Sequence, residues 1–172
     1  SIEDRQPDAN RPIRDFDDAV ARVAAAVEAA RRHDIVLTAR ADGLIHGKYD
    51  LAEAIRRLQA FERLGADVLY APAIPDLGAL REVCRSVRAP VNHLVGLGAT
   101  GLGYAEIAEA GVRRISMGGA LARAAGGALA AICRELAAGT FAKLDTAPSW
   151  NALRQRGNDF LEFPDTLEWL HR

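Results

Sequence analysis

Short apolar runs alternate with longer amphipathic stretches along most of this chain. Residues 35–39, 67–71, 90–95 and 112–117 form four such runs, and Ile2 to Asp4 reads as the end of another. Each is too short for a helix. The run from Asp34 to Asp42 is the clearest, apolar until it stops at Arg40 and Asp42. Apolar character at successive positions predicts strands covered on both faces, as in a parallel sheet.

The stretches between these runs have helical periodicity. Phe16, Val20, Val23, Val27 and Ala30 form one stripe, and Leu51, Ile55, Leu58 and Leu64 the next. Leu77, Leu80, Val83, Cys84 and Val87 form a third. Ile107 marks a short fourth helix ending before Gly111, and Leu121, Ala125, Leu129, Ile132 and Leu136 a fifth before Gly139. Asp15 and Asp50 are the expected N-caps of the first two, with Asp18 and Glu53 three residues on completing capping boxes. Gly65 suits a left-handed helix stop.

Strand and helix alternating at this spacing force parallel strands joined by crossovers. A doubly wound open sheet and part of a (β/α)8 barrel both satisfy the pattern. A whole barrel needs about 250 residues, so a barrel reading makes this chain the C-terminal portion, strands 4 to 8, over residues 1–140. The opening at Ser1, without methionine and inside a strand, reads as part of a longer protein. Residues 141–172 are expected to form a helical tail carrying Trp150, Phe160, Phe163 and Trp169, packed on its own domain or docked on, or exchanged with, a partner subunit.

Composition narrows the function classes. Twenty-two basic and 23 acidic residues leave a net charge of −1. Interspersed charges argue against nucleic acid or an anionic membrane as partner. No apolar run reaches the length of a membrane span. Cys84 and Cys133 lack metal-ligand spacing and read as small hydrophobes in a reduced cytoplasm.

Candidate chemistry collects at the C-terminal ends of the predicted strands, where α/β folds keep their sites. These ends read Glu3-Asp4, Arg40-Ala41-Asp42, Tyr70-Ala71-Pro72, Asn92-His93 and Ser116-Met117-Gly118-Gly119. Carboxylate oxygens suit Mg²⁺. The planar fork of Arg40 suits a carboxylate or phosphonate, or else a plain salt bridge to Glu3. A divalent ion beside a 2-oxo acid would polarise the oxygen on which charge develops. Asp42 either contacts a ligand or turns the loop that follows it. His46, His33 and His93 read as solvated or structural. Residues 96–101 match GxGxxG, but the next strand ends in Ser116-Met117-Gly118-Gly119 without the acid a dinucleotide ribose needs. Gly118-Gly119 reads as a tight turn, or as free N–H groups for an anion.

These residues resemble the isocitrate lyase and phosphoenolpyruvate mutase superfamily, in its mutase-like or oxaloacetate-decarboxylase-like branch. The resemblance runs from Ser1 to about Leu136. It is carried by Ser1-Ile2-Glu3-Asp4, Leu37-Thr38-Ala39-Arg40-Ala41-Asp42, Ala54-Ile55-Arg56-Arg57, Gly65-Ala66-Asp67, Pro90-Val91-Asn92 and Gly111-Val112-Arg113-Arg114-Ile115-Ser116. It implies a barrel enzyme, a dimer or tetramer, that binds Mg²⁺ and makes or breaks a C–C or P–C bond next to the carboxylate of a small 2-oxo acid. It implies that Glu3 joins the metal's carboxylate cluster through water and that Arg40 grips the substrate anion, and it matches Asn92 to an asparagine holding a substrate oxygen. Residues 5 to 15 would be a mobile loop over the site. That loop lacks the Lys-Lys-Cys-Gly-His stretch of the lyases, so the cysteine-acid route is not expected.

The expected function is therefore a Mg²⁺-dependent lyase or phosphomutase acting on a small anionic substrate, with weak or no turnover by this polypeptide alone. The rivals are a non-catalytic barrel piece acting through assembly, and a nucleotide-binding α/β protein using residues 96–101.

Overall fold

The computed structural model describes residues 1–96 and 101–161. They form two compact units, Ser1–Gly118 and a second from Gly119 onward. The division falls before the fifth helix, whereas the change in composition lies at 140/141.

The first unit is a parallel sheet of five strands: β1 (Ile2–Glu3), β2 (Thr38–Arg40), β3 (Val68–Tyr70), β4 (Val91–Leu94) and β5 (Arg114–Ser116). Helices α1 (Phe16–Arg32), α2 (Leu51–Leu64), α3 (Leu77–Ser86) and α4 (Tyr104–Glu109) connect them in turn. Spatial order equals chain order, β1-β2-β3-β4-β5. A doubly wound sheet reverses its strand order at a switch point. This sheet never does, so the barrel-type arrangement is the one present.

Alternation along each strand separates two faces. Ala39, Leu69 and Val91 turn toward the helices and join Val23, Val27, Leu58, Phe61, Leu80, Val83 and Ile107 in the core. Thr38, Arg40, Val68, Tyr70, Asn92 and Arg114 line a cavity on the other face.

Local signals account for the ends of α2 and the start of α3. The Asp50 carboxylate accepts from Glu53 N–H at 2.9 Å and the Asp76 carboxylate from Ala79 N–H at 2.8 Å. Gly65 stops α2 at φ +94°. Two capping expectations fail. Asp15 makes no side-chain cap bond, because its carboxylate pairs with Arg11 at 2.8 Å, and Asp18 pairs with Arg14 at 3.1 Å. Glu53 turns its carboxylate to Arg56 and Arg57, each at 2.9 Å, instead of back to the cap.

The expected strand at 35–39 is also corrected. Only Thr38–Arg40 is strand, and Ile35 and Val36 are 60% and 72% exposed. Ile35 N–H closes on Ala30 O at 3.1 Å after a positive φ at Asp34, so Ile35 terminates α1. Val36 lies on the cavity face, so burial on both sheet faces does not hold there.

The second unit holds α5 (Ala120–Ala137), α6 (Ala142–Asp145) and α7 (Trp150–Leu161). Leu121, Leu129 and Leu136 of α5 and Trp150 of α7 are exposed. Phe163 and Trp169 lie outside the described residues. No helix among the described residues is long and apolar enough to cross a membrane.

Candidate active site

Sheet register brings one residue from each strand into a single row. Glu3 pairs with Arg40, Arg40 with Tyr70, Tyr70 with Asn92, and Asn92 with Arg114. Residues in register on parallel strands point to the same face, so these five side chains share the cavity side of the sheet.

Arg40 is the most constrained of them. Its Nη1 lies 2.8 Å from Glu3 Oε1. Its Nε and Nη2 donate to the two Asp42 carboxylate oxygens at 3.1 and 2.9 Å, a bidentate fork. Its guanidinium also lies 4.9 Å from the centre of the Tyr70 ring. Three of its five N–H groups are thereby engaged and two are left for a ligand. Glu3, Arg40 and Asp42 thus meet, and Asp42 braces Arg40. Burial pushes the Asp42 carboxyl above its ordinary pKa, with Arg40 opposing the shift.

Behind this rim, Asp4 is fully buried and fully engaged. It accepts from Asp42 N–H at 2.8 Å, from the Tyr49 hydroxyl at 2.9 Å and from Arg57 Nη1 at 3.0 Å. Burial and the neighbouring Asp4 carboxylate push the Tyr49 phenol upward, so it stays a neutral donor. Arg57 also donates to Arg14 O at 3.0 Å, tying the loop after β1 to α2. Within that loop, Arg5 bridges Ile13 antiparallel and Gln6 N–H donates to Pro12 O at 2.9 Å. The segment expected as a mobile cover is thus a small hairpin-like turn.

At the other end of the row, both ends of the Asn92 amide have protein partners. Its Nδ2 donates to Ser116 Oγ at 2.9 Å and its Oδ1 accepts from Arg114 Nη1 at 2.8 Å. Each end keeps one further site, an N–H on Nδ2 and a lone pair on Oδ1, so Asn92 orients these neighbours and retains capacity to meet a substrate oxygen. His93, one residue on, faces the opposite side. It is buried, its Nε2 has no partner among the described residues, and burial lowers its pKa. Gly118 takes φ +49° in a turn ahead of α5. Residues 97–100 of the glycine-rich stretch lie outside the described residues. Burial pushes the Cys84 thiol up to about 11, which keeps it protonated and unreactive near neutral pH.

A magnesium centre does not fit the described residues by themselves. They contain no group of three His, Cys, Asp or Glu side chains able to hold a metal. Glu3 and Asp42 turn oxygens to Arg40, and Asp4 has its three donors from the protein.

Sequence reasoning missed Arg114. The signal was present: Arg114 and Ser116 stand two apart in a strand and so share a face. In the sequence Arg114 stood out only as part of the stretch Gly111-Val112-Arg113-Arg114-Ile115-Ser116 that carries the family resemblance.

Comparison with known proteins agrees with this geometry. The family model for phosphoenolpyruvate phosphomutase matches residues 1–137. The 2-methylisocitrate lyase of Escherichia coli (strain K12) is 36% identical over 95 residues, covering 54% of this chain and 31% of that protein. A solved structure from Burkholderia cenocepacia J2315, provisionally named a lyase/mutase, shares 43% identity and superposes with a TM-score of 0.83. The match covers 95% of this chain and 59% of that one. A phosphonopyruvate hydrolase solved with oxalate and Mg²⁺ shares 26% identity with a TM-score of 0.71, covering 93% of this chain and 59% of that one. The chain therefore spans less than two thirds of each of these proteins. With a family match over most of its length and a sequential parallel sheet bearing one polar residue of each strand in a row on its cavity face, the chain belongs to the phosphoenolpyruvate phosphomutase family.

Proposed function

We propose that this chain supplies the anion-holding side of an active site that makes or breaks a C–C or P–C bond next to the carboxylate of a small 2-oxo acid. The observation that carries this reading is Arg40. It is an always-charged planar fork, fixed by Glu3, Asp42 and the Tyr70 ring, with two N–H groups uncommitted. Those two groups suit the paired oxygens of a carboxylate or phosphonate.

In this reading Arg40 fixes the substrate's carboxylate and so orients the adjacent bond. Breaking that bond leaves its electron pair as an enolate, and a preorganised guanidinium stabilises charge that grows beside it. Glu3 and Asp42 keep Arg40 from following the ligand, and Asn92 holds the opposite wall in place. No step is assigned to a metal, since the described residues do not make a metal centre. The loop of residues 5 to 15 has neither cysteine nor histidine, so the cysteine-acid route is not part of the reading.

Oxalate, the ligand of the matched phosphonopyruvate hydrolase, is the probe. Calorimetric titration is expected to show binding to the wild-type chain, weakened by about tenfold or more in Arg40→Lys, which keeps charge but loses the fork. Equal affinity of the two proteins, or no binding by the wild type, overturns the reading.

The reading includes a second copy of this chain as partner, supported by the exposed Leu121, Leu129 and Leu136 along one helix. Light scattering on the purified chain is expected to give a dimer or tetramer, and a stable monomer overturns this part.

A further inference from the structure

The reading above uses one guanidinium of the cavity and leaves another. Arg114 reaches into the same space from β5, and the described residues offer it no carboxylate. We propose that Arg114, positioned by Asn92 and joined by Ser116, forms a second anion seat, which holds the far carboxylate or phosphonate of a two-headed substrate whose near carboxylate rests on Arg40. This rests on the function proposed for Arg40.

Charge accounting favours such a seat. At one end of the row, Arg40 is matched by two carboxylates, Glu3 and Asp42. At the other end, Arg114 has a neutral amide oxygen as its polar partner. The uncompensated positive charge of the cavity wall therefore belongs to Arg114, and a guanidinium cannot shed it by deprotonation. One N–H is engaged by Asn92, which leaves four donors.

The supports are built, not incidental. Asn92 is buried, and its amide is fixed at both ends. Ser116 Oγ accepts from Asn92 Nδ2, so its own O–H is left to donate. One fork and one hydroxyl thus present donors to the cavity from positions two apart on one face of β5.

Spacing sets the ligand class. Arg40 and Arg114 are three strand steps apart, about 14 Å between backbones, and both side chains reach inward. A single carboxylate cannot meet both, whereas a short dianion can touch one with each end. The cavity measures about 610 Å³, within the usual range for small-molecule sites.

The test compares pyruvate with oxaloacetate, which adds one carboxylate at the far end. Affinities are measured by titration for the wild type, Arg114→Gln, Arg114→Lys and Arg40→Lys. Gln retains an N–H for Asn92 while removing the charge, and pyruvate binding doubles as a check that the fold survives. Arg114→Gln is expected to weaken oxaloacetate by about tenfold or more beyond any change for pyruvate, with Arg114→Lys between it and the wild type. Equal effects on the two ligands, or none on oxaloacetate, overturn the second seat. If Arg40→Lys changes neither ligand, the role given to Arg40 fails instead.

Discussion

Arg57 donates to Asp4 at 3.0 Å with both side chains closed to water, 6% and 0% exposed. This pair joins α2 to the end of β1 directly behind Arg40. Removing Arg57 leaves the buried Asp4 carboxylate without its cation, and removing Asp4 leaves Arg57 with Glu53 as its one carboxylate partner. Asp4→Ala and Arg57→Leu are each expected to cost about 3–5 kcal/mol in urea unfolding. The double variant is expected to lose less than the sum of the two, and strict additivity would show that the pair is not coupled.

Tyr70 touches Arg40 through its ring face, not its hydroxyl. Tyr70→Phe is therefore expected to leave oxalate affinity within about twofold, while Tyr70→Leu weakens it about two- to tenfold. A Phe variant as impaired as Leu would assign the contact to the hydroxyl.

His93 gives the fold an acid-side weakness. Burial holds its pKa below the ordinary 6.5. As pH falls, the unfolded chain takes up the proton first, so stability present above about pH 6.5 declines as pH drops toward the folded value. Thermal melts are expected to fall between about pH 7 and pH 5 in the wild type, and less steeply in His93→Leu. Parallel curves for the two proteins would refute the assignment.

Gly111 sits at φ +105°, and a Cβ there would lie 3.0 Å from Cys84 Cβ. Gly111→Ala combines a disfavoured backbone with a tight contact against α3. It is expected to destabilise by about 1–3 kcal/mol, measured by denaturant midpoint. Substituting Gly139, at φ +76° with nothing within 4 Å, is expected to cost less.

The sheet and its helices were legible because hydrophobic period reports burial, and burial decides these elements. Leu58, Val23, Val83 and Ile107 stand in the stripes that the sequence shows and in the core that the fold builds. Ile35 and Val36 misled for the same reason, since an apolar residue at a helix end or on a cavity wall reads like one in a sheet. The meeting of Glu3 and Arg40 followed from both being strand-end residues. The Asp4–Tyr49–Arg57 cluster did not, because it joins residues 45 and 53 positions apart whose pairing depends on packing. Arg114 escaped because its partner, Asn92, lies 22 residues away on a neighbouring strand.

The polar row draws one member from each of five strands, each held by its backbone ladder to its neighbours. Exchanging a single member leaves the backbone ladders in place but releases the neighbour it holds, as Glu3 holds Arg40 and Asn92 holds Arg114. Such a wall is rewritten in pairs, so a change of ligand at either end calls for two substitutions on neighbouring strands while the sheet beneath stays as it is.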